Sequence, residues 1–184
     1  MLKMVENMID YATVNGSAPS PNPSHIDVPA TIARLLDNVA PELSAKGLKI
    51  ENSVESDLSV QSDAAMLGGV LKQILENAIK YSPPDGTIHI ATRDRSGGRL
   101  EISIADEGPG FPVDPTGTRI DAFDKRGRTN GVVPGAGVGL ALAQTYASAI
   151  DGKLRLGNSE TGGDEVGLVI SQNLTAPRPV AAKA

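Results

Sequence analysis

GVVPGAGVGLALAQTYASA, residues 131–149, poses the question on which the fold turns. Gly135, Gly137 and Gly139 alternate with small residues and then run into an apolar, helix-forming segment. Such a stretch can be the phosphate turn of a dinucleotide-binding domain, a P-loop, or another turn that handles phosphate. A dinucleotide fingerprint needs a strand immediately before its glycines and GxGxxG spacing. Here Arg128-Thr129-Asn130-Gly131-Val132-Val133-Pro134 comes before, and the spacing is GxGxG. No Lys-Ser/Thr pair follows, as a P-loop requires. A third arrangement survives both tests. A loop that empties into a helix through glycines lets backbone N–H groups and the helix N-terminus face an anion, and it can fold over a nucleotide as a lid. The rest of a nucleotide site should then stand elsewhere in the chain.

Composition narrows what that site can be. The chain has 184 residues, a length for one domain with a sizeable core, and 40% are apolar. Aromatics make up only 3%, so the core must be built from Leu, Ile, Val and Ala. A formal charge of −5 argues against a nucleic-acid module, which carries a basic face. Without cysteine there is no disulfide or thiolate metal site. His25 and His89 lie too far apart, with no helical or hairpin spacing, to read as a metal pair. No run approaches the ~18 apolar residues of a membrane span, and MLKMVENMIDYATV lacks a signal-peptide cleavage pattern. These features predict a cytoplasmic domain, whose parent protein is cytoplasmic or membrane-anchored.

Along the chain, Leu2, Val5, Met8, Ile9 and Ala12 form one helical stripe over residues 1–14. NGSAPSPNPS, residues 15–24, has the turn chemistry of a linker. Asp27 can cap a single helix carrying Ile32, Leu35, Leu36, Val39 and Leu43 and ending near Gly47. Leu48 and Ile50 then read as a half-buried strand. Ser62 or Asp63 can cap the next helix, AAMLGGVLKQILENAIKYS, whose apolar pairs fall at 66/67, 70/71, 74/75 and 78/79. Pro83-Pro84-Asp85-Gly86 stops it. Ile88 and Ile90 form one strand, and Leu100, Ile102 and Ile104 another that runs straight into Asp106-Glu107-Gly108-Pro109-Gly110-Phe111.

Residues 112–134 show no period and read as a mobile loop of a length that points to function. The helix that follows places Leu140, Ala143, Tyr146, Ala149 and Ile150 on one face, with Gly152 as its stop. Strands at Leu154/Leu156 and Val166/Leu168/Ile170 close the fold, and the tail TAPRPVAAKA reads as disordered. Hairpins mixed with crossovers predict an α/β (α+β) two-layer sandwich: a mixed sheet with helices on one face.

Polar residues interrupt the apolar stripe of the helix over 63–81. At 100° per residue, Gln73, Asn77 and Lys80 fall within about 60° of one another, with Tyr81 beside them. Alone, they could be the solvated face of an amphipathic helix. However, an amide oxygen at Asn77 suits a hard metal, Lys80 is a phosphate-seeking cation, and Tyr81 could lie against a base or sugar. At Asp106 a strand end delivers a carboxylate that can accept from an exocyclic amine such as adenine's. The glycines after it let backbone approach a ligand closely.

Three boxes in this order are more specific than any one of them. ENAIKYS, ADEGPGF and GAGVGLALA resemble the N box and the two glycine boxes of the Bergerat (GHKL) ATPases, which include gyrase, MutL and the histidine kinases. NAIKYS is the wording of the catalytic and ATP-binding domain of sensor histidine kinases, and the gap from Phe111 to Pro134 suits that group's short lid. MIDYATVNGS resembles the end of the dimerisation and phosphotransfer hairpin with its linker. The resemblance therefore divides the chain into 1–14 (hairpin helix end), 15–25 (linker), 26–172 (ATP-binding domain) and 173–184 (tail).

The resemblance implies ATP and Mg as cofactors. Asn77 would hold Mg²⁺ against the phosphates, Lys80 would touch a phosphate, and Tyr81 would pack beside the nucleotide. Asp106 would read the adenine amine, with Gly108, Gly110 and Phe111 shaping the pocket. Gly135, Gly137, Val138, Gly139 and Leu140 would hinge the lid and present N–H groups. Phe123 resembles the aromatic of the family's F box, and Lys125, Arg126 and Arg128 stand as lid cations. Implied partners are the chain's own phosphotransfer hairpin, a response regulator and a second copy of the parent protein, with no nucleic acid. The γ-phosphoryl would pass to a histidine on the hairpin's first helix, which neither His25 nor His89 matches.

One position departs from the family pattern. Gln73 stands where kinases carry another Asn and related ATPases a Glu that serves as base. Glutamine cannot act as a general base, although it can place a water or contact a phosphate. That leaves a second reading beside the kinase: a signalling pseudokinase that binds nucleotide or a partner with little transfer. An anti-sigma-type serine kinase is a third, which the hairpin-like N-terminal helix disfavours.

Overall fold

The computed structural model describes residues 20–111, 138–160 and 162–173. In chain order its elements are β1 (Ser24–Asp27), α1 (Val28–Asn38), α2 (Ala40–Lys46), β2 (Lys49–Asn52), β3 (Ser59–Ser62), α3 (Ala64–Tyr81), β4 (Thr87–Arg95), β5 (Arg99–Ala105), α4 (Gly139–Ala149), β6 (Lys153–Asn158) and β7 (Asp164–Ser171). Five strands form one sheet in the order β2-β4-β5-β7-β6. The β2–β4 pair is parallel and the other three pairs are antiparallel, so the sheet is mixed as predicted.

Alternation along the strands sends one set of side chains to the helices. Ile88 and Ile90, Leu100, Ile102 and Ile104, and Val166, Leu168 and Ile170 are all buried. Register stacks Ile90 on Ile104 and Ile102 on Leu168. Against them α3 packs Leu67, Val70, Leu71, Ile74, Leu75 and Ala78, and α4 packs Ala143 and Ala147. Each fully buried aliphatic side chain of this kind is worth about 1.5–3 kcal/mol. Among the described residues the fully buried core side chains are aliphatic, so the core is held by the number and interlock of branched side chains. The Asp63 carboxylate caps α3 by accepting from the Met66 N–H at 2.9 Å, and Asp27 caps α1 through the Ala30 N–H at 2.8 Å.

The structure departs from the sequence reading in four places. The single helix expected over 28–46 is two, because Pro41 has no N–H to continue the ladder and falls in the first turn of a new helix after Val39. β1 lies partly inside the expected linker and pairs antiparallel with β3, a small sheet that buries Ile26 against Val60. The residue that ends α4 in the left-handed region is Asp151, at φ +54°, and not Gly152. Gly152 is needed for close approach instead: a Cβ there would lie 2.8 Å from Ile170 Cγ2, and its N–H donates to the Ala147 carbonyl at 2.7 Å. Lastly, α4 buries a wider arc than the predicted stripe, adding Ala141, Leu142 and Ala147, because it is packed by α3 on one side and β6 on another.

No helix among the described residues is long and apolar enough to cross a membrane.

Candidate functional site

The C-terminal half of α3 and the turn after β5 meet. The link is visible at Gly108: a Cβ there would lie 2.7 Å from both the Tyr81 carbonyl oxygen and Asp106 Oδ1. Only glycine lets that turn close against the end of the helix. Asp106 is 1% exposed. Its Oδ1 accepts from the Gly108 N–H at 2.8 Å and the Asp164 N–H at 3.3 Å, and its own N–H donates to the Asp164 carbonyl at 2.9 Å. The carboxylate is thus held on one oxygen by two backbone donors of neighbouring elements. Gly110 sits at φ +72°, and a Cβ there would fall 2.5 Å from the Gly162 carbonyl. The Phe111 N–H donates to Asn158 Oδ1 at 2.9 Å, which anchors the far end of the turn to β6.

On α3, Asn77 is half-buried and its Nδ2 is buried without a hydrogen-bond partner among the described residues. Such an orphaned amide is what a site completed by a ligand leaves behind, and amide N and O exchange places by rotation. Lys80, one turn on, donates to the Tyr81 hydroxyl at 3.1 Å and lies 4.6 Å from the centre of its ring. No three His, Cys, Asp or Glu gather into a metal cluster among the described residues. An amide oxygen at Asn77 would suit a hard cation such as magnesium.

Gln73, one turn before Asn77, is 6% exposed. Its amide oxygen lies against the first residue of α4, so a Cβ on Gly139 would stand 2.8 Å from Oε1. Val138 is buried and Leu140 partly so, both at this same helix start. The structure therefore sets Asp106 and Gly108 against Tyr81 at the end of the helix that also carries Gln73, Asn77 and Lys80, and sets Gly139 on Gln73, while Gly110 and Phe111 are held against Gly162 and Asn158. Phe123, Lys125, Arg126, Arg128, Gly135 and Gly137 lie outside the described residues.

Sequence reasoning missed two supports of this site. Lys46, from α2, donates to the Ile79 and Lys80 carbonyls at 2.7 and 3.0 Å and so caps the end of α3 from another element. Burial lowers its pKa from the ordinary lysine value, while the charge of Asp106 acts in the opposite sense. The second support is the β6–β7 connection. Ser159 Oγ donates to the Asp106 carbonyl at 3.2 Å and accepts from the Gly163 N–H at 3.0 Å, and any side chain on Gly163 would run into that same carbonyl. A lysine before Gly47 reads as a cap for its own helix, and Gly162-Gly163 reads as an ordinary hairpin turn. Neither carries a local signal of its distant partner. His89 is occupied elsewhere, its Nδ1 3.1 Å from the Glu51 carboxylate on the neighbouring strand.

The sequence and fold also resemble those of known proteins. Residues 62–174 match the family described as histidine kinase-, DNA gyrase B-, and HSP90-like ATPase. The chain is 32% identical over 142 residues to the adaptive-response sensory kinase SasA of Trichormus variabilis, covering 77% of this chain and 35% of that protein. It superposes on full-length ShkA in complex with AMPPNP with a TM-score of 0.78 at 24% identity, covering 96% of this chain and 36% of that one. On the mycobacterial sensor histidine kinase MprB the TM-score is 0.70 at 25% identity, covering 84% of this chain and all of that one. The chain spans about a third of the length of the curated relatives it matches. By the family match the chain belongs to the histidine kinase-, DNA gyrase B- and HSP90-like ATPases, and SasA and MprB, which it resembles, are sensory kinases.

Proposed function

We propose that residues 26–172 bind Mg-ATP and hand its γ-phosphoryl to a histidine on a separate dimerisation and phosphotransfer hairpin, as the catalytic domain of a two-component sensor histidine kinase. One observation carries this reading: the Asn77–Tyr81 end of α3 and the Asp106–Phe111 turn border one place, touching at Gly108. Backbone donors fix the Asp106 carboxylate in place through Oδ1, and that carboxylate would accept from the adenine amine. Asn77 Oδ1 would hold magnesium, which supplies charge neutralisation at the phosphates when bound. Lys80 would turn from the Tyr81 hydroxyl to a phosphate oxygen, leaving the ring of Tyr81 beside the nucleotide.

Phosphoryl transfer asks for positioning and charge more than for a protein base, so glutamine at position 73 is compatible with turnover. A nitrogen of the acceptor imidazole attacks the γ-phosphorus, the bond to the bridging oxygen breaks, and ADP leaves with that oxygen's charge. Residues 1–14 would close the hairpin and 15–25 link it to the domain. The parent would act as a homodimer on the cytoplasmic side and pass its phosphoryl group to a response regulator. The test supplies an intact hairpin domain in trans with radiolabelled Mg-ATP. Acid-labile phosphohistidine supports the kinase. Nucleotide binding without transfer would make the chain a regulatory pseudokinase, and no binding at all would end the reading.

A further inference from the structure

Gln73 is the polar position on α3 that departs from the family pattern and cannot serve as a general base. It is nearly closed to solvent, and its amide oxygen bears on Gly139, the first residue of α4. α4 starts without a side-chain cap of its own, because its N-cap residue is Val138. Its first-turn N–H groups thus lack the acceptor that a Ser, Thr or Asp would give. One turn earlier on α3, Gly69 lets the Tyr146 ring of α4 come in, and a Cβ there would lie 3.1 Å from two ring carbons. Gly69 and Gln73 fall on one face of α3, four residues apart. The two helices are therefore spaced by glycine on α3 against a ring on α4 at one end, and by glutamine on α3 against glycine on α4 at the other.

We infer that Gln73 is a positioning residue: its side chain sets where α4 begins relative to the helix that carries Asn77, and so sets the phosphate side of the nucleotide site. This rests on the nucleotide reading above and gives its departure from the family pattern a role. Glutamine here is a spacer matched to Gly139, and neither residue can change size alone. A methyl at position 139 would displace the amide, while the shorter asparagine at 73 would make room for it.

The test is a double-mutant cycle of Gly139→Ala and Gln73→Asn, with two readouts. Chemical denaturation reads the contact without nucleotide. Titration with ATP, ADP and adenosine reads its consequence. Gly139→Ala should weaken ATP and ADP by about tenfold with adenosine within about twofold, and adding Gln73→Asn should restore most of that loss. A general loss of packing would weaken adenosine along with the phosphorylated nucleotides and would overturn the inference. Additive effects in both readouts would overturn it too. Coupled stabilities in a chain whose parent form binds no ATP would instead reject the nucleotide reading and leave the spacer contact standing.

Discussion

Replacing Asp106 with asparagine tests the base-reading role with little disturbance of shape. The structure dictates how the new amide must lie. Two backbone donors, the Gly108 N–H at 2.8 Å and the Asp164 N–H at 3.3 Å, already point at Oδ1. The asparagine oxygen has to stay there, because turning the amide over would set its NH2 against two N–H groups. On the proposed reading Nδ2 then stands where the carboxylate would meet the base, a donor toward the donor amine of adenine. The variant loses a hydrogen bond to a charged acceptor, worth about 1.5–3 kcal/mol, and gains a mismatch, so the upper part of that range applies. Affinity for ATP should fall about 30- to 150-fold. The same pinned NH2 now suits a carbonyl, so inosine triphosphate, with an acceptor in place of the amine, should bind the variant better than it binds the parent. Calorimetry with both nucleotides reads the ratio directly, and far-UV circular dichroism checks that the fold holds. An unchanged ATP-to-ITP ratio in a folded variant would refute the assignment of Asp106 to the base.

Three further outcomes follow from the same contacts. If Asn77 holds the metal rather than forming a wall of the pocket, Asn77→Ala should cut ATP affinity by about tenfold in magnesium and hardly at all in EDTA; titrations in the two buffers decide. Lys46→Met should destabilise the fold by about 1–2 kcal/mol in urea, because two carbonyls at the end of α3 lose a charged donor that is itself only half-buried. On the sheet face away from the helices, Glu101 is 0% exposed between Arg95 and Arg155. Burial alone would raise its pKa, but hydrogen bonds and charge from the two arginines outweigh it and hold the carboxyl below the ordinary glutamate value. A depressed folded-state pKa gives stability that is present above the unfolded value and lost as pH falls through the folded one. Glu101→Gln should therefore cost about 1–2 kcal/mol at pH 7, with Arg95 able to turn toward water and Arg155 keeping its pair with Glu165, and the gap to the parent should close as denaturation curves are taken below about pH 4.

What could be read from the chain beforehand divides by the range over which each residue acts. The apolar pairs of α3 announce a helix because burial on one face needs nothing beyond the helical period. Asp106 and its glycines suggest a ligand turn because the Asp-x-Gly-x-Gly pattern fits in six residues, although the carbonyls that demand glycine there, those of Tyr81 and Gly162, lie far along the chain. β1 and β3 gave no such signal: each is four residues long with one buried apolar side chain, Ile26 or Val60, and their partners, each other and for β3 also Gln172, are distant in sequence. The α1–α2 break was hidden because the apolar residues keep their period across Pro41, so only the missing N–H marks it.

The same division runs through the site. The groups assigned to ligand stand in short motifs, whereas those that hold them in place come from far along the chain: Lys46 reaches carbonyls 33 and 34 residues away, and Ser159 one that is 53 residues away. Gln73 belongs to both classes, which is why its motif position misleads. It occupies a place where chemistry is expected, yet its amide oxygen is spent against the start of a helix more than sixty residues downstream. A substitution at such a position is then judged by the residue it faces: glutamine at 73 makes sense beside Gly139, and with any larger residue there the same glutamine would push the two halves of the site apart.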